Sequence, residues 1–122
     1  MRHAVSGTEP SGSYSPGVLA TGRLLFVSGQ GPLVGGQVVP GTVAEQTRVT
    51  LRNLEAVLNA GGADLGDVVR CGVYLADMGT FAEMDAAYRE FFGDVPPART
   101  TVGAELAGIG VEIDCVAAVD HP

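Results

Sequence analysis

Arg99 and Glu112 are the residues whose types and spacing could carry out chemistry. Arg99 lies in VPPARTTVG, residues 95–103, and Glu112 lies in the apolar stretch VEIDCVAAV, residues 111–119. The chain has seven arginines and no lysine, so each arginine is a large share of its positive charge. Pro97 makes the approach to Arg99 rigid, and a guanidinium held there can bind a carboxylate through two parallel hydrogen bonds. Glu112 could orient or deprotonate a water molecule, or protonate a departing nitrogen.

The two residues stand near facing ends of two predicted strands, residues 98–104 and 111–119, joined by AELAGIG. If these strands pair as a hairpin, both side chains lie near the same loop end of a sheet, although the register is not readable. An arginine and a glutamate on adjacent strands are more often a structural ion pair than a catalytic pair. The spacing leaves both interpretations open.

Other kinds of site lack the residues they need. His3 and His121 stand at the chain ends and Cys71 and Cys115 are isolated, so no spacing suits zinc or a Ser-His-Asp triad. Without lysine there is no Schiff-base nucleophile. The glycine-rich SGQGPLVGG, residues 28–36, leads into a hairpin and lacks a Lys-Ser/Thr ending, so it is neither a dinucleotide fingerprint nor a phosphate-binding loop.

Composition indicates one domain over residues 1–122, with a polar segment at 1–12 that we expect to be flexible. The net charge of −7 without a basic cluster argues against nucleic acid. No run of about 18 apolar residues or signal peptide is visible, which predicts a cytoplasmic protein with buried thiols and no membrane partner. Apolar residues make up 46% and charged residues 17%, and the surplus apolar surface predicts a subunit interface.

Glycines mark two predicted hairpins. GVLATGRLLFVSG is typical of two short strands around Thr21-Gly22, and GPLVGGQVVPG of a second hairpin turning at Gly35-Gly36.

Two helices with capping boxes follow. The first is predicted from Thr42 and Glu45 at its start to Gly61-Gly62 at its end, with an apolar stripe of Leu51, Leu54 and Leu58. The second is predicted from Thr80 and Glu83 to Gly93, with a stripe of Met84, Tyr88 and Phe91.

A strand between the helices, DVVRCGVYLADM, alternates in polarity. Val69, Cys71, Val73 and Leu75 share one face, and Arg70 and Tyr74 share the other. The order β-β-β-α-β-α-β-β predicts an α+β domain with both helices on one face of the sheet. The last strand is apolar on both faces toward its C-terminal end, so we expect a partner subunit to cover the second face.

The chain resembles the Rid family of reactive intermediate deaminases, also called the YjgF family, whose older label is endoribonuclease L-PSP. The resemblance runs from about residue 13 to 119. It rests on SYSPGVLATGRLLFVSGQGPLV, on the helix FAEMDAAYREFFG, and on PPARTTV and VEIDCVAAV in that order. It implies a chorismate-mutase-like fold with a six-stranded mixed sheet, two helices on one face, and a homotrimer with three inter-subunit clefts.

The resemblance also implies an activity without a cofactor or metal. The deaminases of the family hydrolyse 2-imino acids, and their 2-aminoacrylate-type enamine tautomers, to 2-keto acids and ammonia. Carried onto this chain, Arg99 is the carboxylate anchor and Glu112 positions or activates water. Ser28 and Gly29 line the pocket, and Tyr14 closes it.

Some positions depart from the family pattern. Thr101 stands where many members have cysteine, Asp85 where asparagine is frequent, and Pro16 where glutamine is common. From the residues alone, Asp85 reads as a plain surface residue on the second helix; at a position that lines the pocket it adds a negative charge there. The loop AELAGIG lacks the usual Leu-Pro.

Three alternatives to the deaminase stay open. The same cleft could bind a small carboxylate without catalysis, or the chain could act on a larger imine, enamine or carbonyl substrate in one pathway. A ribonuclease or translation inhibitor fits the older label, but the charge of −7 argues against it.

Overall fold

The computed structural model describes residues 2–120. They form eight strands and two α-helices in the following order: β1 Arg2–Val5, β2 Gly17–Ala20, β3 Arg23–Gln30, β4 Leu33–Val34, β5 Gln37–Val38, α1 Val43–Ala60, β6 Val68–Leu75, α2 Phe81–Phe92, β7 Ala98–Gly103 and β8 Val111–Val119. His121 lies outside the described residues. Neither helix between residues 2 and 120 is both long and apolar enough to cross a membrane.

The main sheet is mixed and has four strands in the order β3-β8-β6-β7. β7 runs parallel to β6, and the other pairs are antiparallel. β1 pairs with β2, and β4 pairs with β5, in two separate two-stranded ladders. The predicted α+β class with two helices is confirmed, but the main sheet has four strands rather than six.

Two predicted strand pairings are wrong. β7 and β8 do not form a hairpin, because α2 carries the chain across from β6 to β7 in parallel, and β6 then lies between β7 and β8. β2 and β3 flank the Thr21-Gly22 turn as expected, yet β2 pairs with β1 rather than with β3. The strand β1 itself lies in the segment for which we predicted no regular structure. The hairpin at Gly35-Gly36 is confirmed, and both glycines have positive φ angles there.

The first capping box is formed and the second is not. At the start of α1 the Thr42 hydroxyl accepts from the Glu45 backbone N–H, and the Glu45 carboxylate accepts from the Thr42 backbone N–H. At α2, a single 3₁₀ turn precedes the helix, so the Thr80 hydroxyl donates to the Asp77 carbonyl instead of capping. Glu83 accepts a bond from the backbone of Ala44 in the other helix.

Both helices pack on one face of the main sheet and form a single core with it. The predicted stripes are buried, although Phe91 is only partly so. On β6, Cys71, Val73 and Leu75 face this core as expected. Val69 does not share their burial, because a register shift between Val68 and Arg70 places Val68 in the core instead.

Cys71 and Cys115 lie opposite each other on neighbouring strands in this core. Both are free thiols and both are buried, as predicted. Burial raises the pKa of each thiol to about 12. Both cysteines therefore stay neutral at physiological pH.

The second face of the sheet carries exposed apolar side chains. Leu24 and Phe26 of β3 are 58% and 71% exposed. Asp114 lies on the same face, where its carboxylate accepts bonds from the Gly72 N–H and the Tyr74 hydroxyl rather than pairing with an arginine. An exposed phenylalanine next to an exposed leucine is the kind of surface that a partner subunit covers.

Candidate functional site

Arg99 is the second residue of β7, and its side chain points into the helix side of the sheet. It is paired in register with Cys71 of the core, and its side chain is only 1% exposed. Three aromatic rings surround the guanidinium: its central carbon lies 4.7 Å from the ring centre of Tyr88, 5.3 Å from Tyr14 and 5.4 Å from Phe81. Such rings favour a cation electrostatically while they exclude water.

One terminal nitrogen of Arg99 is fully engaged and the other is free. Nη1 donates to Asp85 Oδ1 at 2.7 Å and to the Ser13 carbonyl at 3.3 Å. Nη2 is buried and has no hydrogen-bond partner. A buried guanidinium nitrogen without a partner is costly, which is why such an atom indicates a place for an acceptor group. Nη1 is therefore occupied by two hydrogen bonds, and Nη2 is the terminal nitrogen without a partner.

Asp85 is part of the site and not a plain surface residue. Its carboxylate accepts from the Ser13 backbone N–H at 2.9 Å and from the Ser13 hydroxyl at 3.0 Å, in addition to Arg99. Burial by itself would raise the pKa of this carboxyl. The Ser13 backbone bond and the Arg99 guanidinium outweigh burial, so the pKa lies below its ordinary value. Asp85 is therefore ionised at neutral pH.

The segment before β2 is tied down over Arg99. The Ser15 N–H donates to the Pro97 carbonyl at 3.0 Å, and the Ser15 hydroxyl donates to the Pro96 carbonyl. A Cβ added at Gly12 would stand 2.9 Å from Arg99 Nη2, so only glycine allows the backbone this close. The double proline thus serves the site by offering two carbonyls that hold this segment in place.

Tyr14 is held by its own neighbour. The Ser11 backbone N–H donates to its hydroxyl at 3.0 Å, and the Ser11 hydroxyl lies 3.1 Å away. These contacts lower the pKa of the Tyr14 phenol. These hydrogen bonds fix the ring beside Arg99.

A pocket of about 180 Å³ opens beside these groups, lined by Ser11, Tyr14, Phe81, Arg99 and Thr101. The Thr101 hydroxyl is also buried without a partner. Arg99 Nη2 and Thr101 Oγ1 are thus two buried polar atoms without a partner, and both belong to residues that line the pocket. The structure brings together four of the predicted site residues: Arg99, Tyr14, Asp85 and Thr101.

Glu112 of β8 and Ser28 and Gly29 of β3 lie elsewhere. A Cβ at Gly29 would collide with the Glu112 carboxylate, so these two residues touch. Glu112 pairs with Tyr74 of β6 whereas Arg99 pairs with Cys71. The two residues are three positions apart along the strands and two strands apart across the sheet, so their backbones are ~14 Å apart. Because side chains alternate between the two faces and three is an odd number, the side chains of Arg99 and Glu112 point to opposite faces of the sheet. Within one chain, the prediction that Arg99 and Glu112 lie close together is wrong. The alternative prediction of a structural ion pair between them is wrong for the same reason.

Three residues of the site were missed from sequence: Ser13, Phe81 and Tyr88 in its role beside Arg99. Phe81, Asp85 and Tyr88 are spaced i, i+4 and i+7, so they lie on one face of α2. An acidic residue between two aromatic residues on a buried helix face is the signal that could have identified them. Ser13 carries no comparable signal. Within residues 2–120, no group of three His, Cys, Asp or Glu side chains could hold a metal ion.

Acid is expected to remove the contribution of Asp85 to stability. Because its pKa is lowered in the folded protein, Asp85 stabilises the fold above its ordinary value of 3.8, and this is lost as the pH falls through the folded pKa. We expect the stability difference between wild type and Asp85→Asn to shrink as the pH falls from 6 to below the ordinary value of 3.8. Urea unfolding at a fixed protein concentration measures it. Asn59→Ala, at an exposed residue without a titrating group, is the control, and its stability difference should not change with pH. A pH-independent difference for Asp85→Asn would contradict the ionised pair.

Known proteins match this chain over nearly its whole length. A family model described as Endoribonuclease L-PSP matches residues 5–119. A mouse protein named 2-iminobutanoate/2-iminopropanoate deaminase is 39% identical, covering 96% of this chain and 91% of the relative. The mitochondrial protein mmf2 of Schizosaccharomyces pombe is 42% identical and covers 88% of each.

A solved structure has the same fold. It is that of the Rid-family protein YyfB of Yersinia pestis, a protein of unknown function. This structure superposes on the chain with a TM-score of 0.84. It is 27% identical and covers 97% of this chain and 98% of that one. The family match and the identities above 30% decide the assignment: the chain belongs to the endoribonuclease L-PSP family, which includes the Rid (YjgF) proteins.

Proposed function

We propose that the protein hydrolyses 2-imino acids of the 2-iminopropanoate type, and their 2-aminoacrylate tautomers, to 2-keto acids and ammonia without a cofactor. The observation that carries the proposal is Arg99 Nη2: a buried cationic donor without a partner at the wall of a small pocket. Such a donor fits the carboxylate of a small acid. The name of the mouse relative supports the imino group as the part that reacts.

Glu112 would reach this pocket from a second copy of the chain. In one copy Glu112 and Arg99 face away from each other, so each copy holds two incomplete halves of a site. The exposed Leu24 and Phe26 lie on the face of the sheet that bears Glu112, which supports association through that face. A closed ring of copies would then complete one site at each interface, and a homotrimer with three clefts is the assembly we propose.

The reaction needs positioning and little else. Arg99 and Thr101 would hold the substrate so that its C2 imine faces the Glu112 of the neighbouring copy. Glu112 would take a proton from water as the oxygen adds to C2 and pass a proton to the nitrogen. The carbinolamine then collapses, its C–N bond breaks, and keto acid and ammonia leave. Orientation and a preorganised electrostatic environment are sufficient for an imine, which is already electrophilic.

The direct test is to generate 2-iminopropanoate in solution with an amino-acid oxidase and to follow its decay. Decay should accelerate in proportion to added protein and saturate with substrate. Protein heated until it unfolds is the control for general base catalysis by its surface. Decay that is the same with and without native protein would contradict the proposal.

A non-catalytic carboxylate-binding protein is the second candidate, and one observation favours it. The Arg99 pocket is complete in a single chain without Glu112, so it could bind a small acid by itself. Glu112→Gln separates the two candidates, because binding should survive in both cases and turnover should be lost only in an enzyme. We place either protein in the cytoplasm, although two relatives are named as mitochondrial.

A further inference from the structure

We infer that Asp85 makes the Arg99 pocket select acids that carry a cationic nitrogen beside the carboxylate over acids that carry the carboxylate alone. The inference rests on the proposed function, since it concerns how the same pocket tells an imino acid from its keto acid product. Asp85 acts here as a positioning residue for Arg99 and as a fixed charge.

The first step is the charge of the site. Asp85 Oδ1 lies 2.7 Å from Arg99 Nη1, and the guanidinium is almost fully removed from solvent. The remaining pocket-lining residues, Ser11, Tyr14, Phe81 and Thr101, carry no formal charge at neutral pH. The pocket and its supporting carboxylate are therefore neutral as a unit, although one of its walls is an arginine.

The second step is that hydrogen bonds hold the Asp85 carboxylate in place beside Arg99. Both of its oxygens are already used, Oδ1 by Arg99 and the Ser13 N–H, and Oδ2 by the Ser13 hydroxyl. The pocket is lined by Arg99 and other residues rather than by Asp85, so a ligand meets Asp85 as a charge behind Arg99. Aromatic rings rather than water fill the space around the guanidinium, so this charge is poorly screened.

The third step is the charge of the ligand. A 2-keto acid brings one negative charge into a neutral site, and Asp85 repels it while Arg99 attracts it. An imino acid protonated on nitrogen is a zwitterion, so it brings no net charge and its nitrogen gains from the nearby carboxylate. The pocket should thus hold the protonated substrate and release the keto acid, which favours turnover over product inhibition.

The experiment compares two ligands of equal size, L-alanine and pyruvate, which differ in the group on C2. Their dissociation constants are measured by calorimetry or by protein-observed NMR on wild type and on Asp85→Asn. The Oδ1 of asparagine can still accept from the Ser13 N–H and from Arg99, so the substitution removes the charge together with the bond that Oδ2 accepts from the Ser13 hydroxyl. We expect the ratio of pyruvate to alanine affinity to rise about tenfold in Asp85→Asn, from the lost repulsion at an effective dielectric constant near 20.

Ser13→Ala is the matched control, because it removes one hydrogen bond to Asp85 and leaves the charge in place. Its affinity ratio should stay at the wild-type value. An unchanged ratio in Asp85→Asn, or an equal rise in Ser13→Ala, overturns the inference. If Asp85→Asn does not fold, Asp85→Glu is measured instead. Glutamate keeps the negative charge, so the affinity ratio should stay near the wild-type value. A tenfold rise of the ratio in Asp85→Glu would overturn the inference.

The outcome is separable from that of the proposed function. A shifted ratio in a protein that does not accelerate imine decay supports the role of Asp85 and contradicts the deaminase. If the protein accelerates imine decay but Asp85→Asn leaves the affinity ratio unchanged, the deaminase is supported and the role of Asp85 is contradicted. Wild-type protein that binds neither ligand overturns the inference together with the carboxylate pocket.

Discussion

Arg99→Lys is expected to lower kcat/KM for 2-iminopropanoate at least about 100-fold, although the positive charge is kept. Arg99 donates to Asp85 and to the Ser13 carbonyl, and under the proposed function it would also donate through Nη2 to the ligand. A lysine ammonium is a compact point charge that will stay with Asp85, so no donor reaches the position of Nη2. Turnover in the oxidase-coupled assay measures the loss, and the melting temperature shows whether the variant is folded.

The matched control for this substitution is Arg52→Lys, at an exposed arginine of α1. It changes the same side chain in the same way, and we expect wild-type turnover. Full activity of folded Arg99→Lys would contradict the role of Arg99 as carboxylate anchor. Arg99→Ala should lose turnover as well, but it also leaves the Asp85 carboxylate without its cation, so it tests stability and catalysis together.

Glu112→Gln is expected to lower kcat by about 10²- to 10⁴-fold, the usual contribution of a general base. Ligand binding should change little, because Glu112 lies outside the pocket formed by Arg99. The substitution keeps the shape of the side chain beside Gly29, so the fold should be retained. Turnover and alanine binding measured on the same sample test this. Wild-type turnover would contradict the catalytic role and favour the non-catalytic candidate.

Mixing the two inactive variants tests whether the site is shared between copies. In oligomers assembled at random from equal amounts of Arg99→Lys and Glu112→Gln chains, about one site in four combines an intact Arg99 with an intact Glu112 of the neighbour. Co-expression with two different tags and purification on both should therefore restore roughly a quarter to a third of wild-type activity per site. Tagged pairs of the same variant are the control. No recovery in verified mixed oligomers would show that the two residues do not serve one site.

Local pattern predicted the elements well because the forces that form them are local. The leucine stripe and the Thr42–Glu45 capping box predicted α1, and the turn at Gly35-Gly36 was predicted from residues that accept positive φ angles. Each of these depends on side chains within a few positions of one another. The second capping box failed for a local reason too, since a preceding 3₁₀ turn occupied the Thr80 hydroxyl.

Strand order was not predictable from the same pattern. The sequence between β7 and β8 is short enough for a hairpin, and nothing local shows that β6 separates the two strands. That choice is made by α2 and by the pairing of β6 with a strand on each of its edges, which are long-range effects. The error had a direct consequence for the site, because it placed Arg99 and Glu112 side by side when they lie on opposite faces.

The candidate site was predictable in its residues and not in its contacts. Arg99 was identified by its unusual neighbours, and Tyr14 and Thr101 by resemblance. That Asp85 faces Arg99 depends on the rotation of α2 against β7, and that Ser13 joins them depends on a contact across 86 residues. Neither contact can be recognised from the order of residues in the sequence.

The two buried thiols of the core have a consequence for the durability of a protein whose proposed substrate is an electrophile. Imines and enamines of small acids react with thiolates and amines. With a pKa of about 12, each of Cys71 and Cys115 is a thiolate in only about one molecule in 10⁵ at pH 7. The chain has no lysine amine, and the pocket is lined by the hydroxyl of Thr101 rather than by a thiol. The protein thus offers its proposed substrate few nucleophiles that could trap it, so that repeated turnover would leave the chain chemically unmodified.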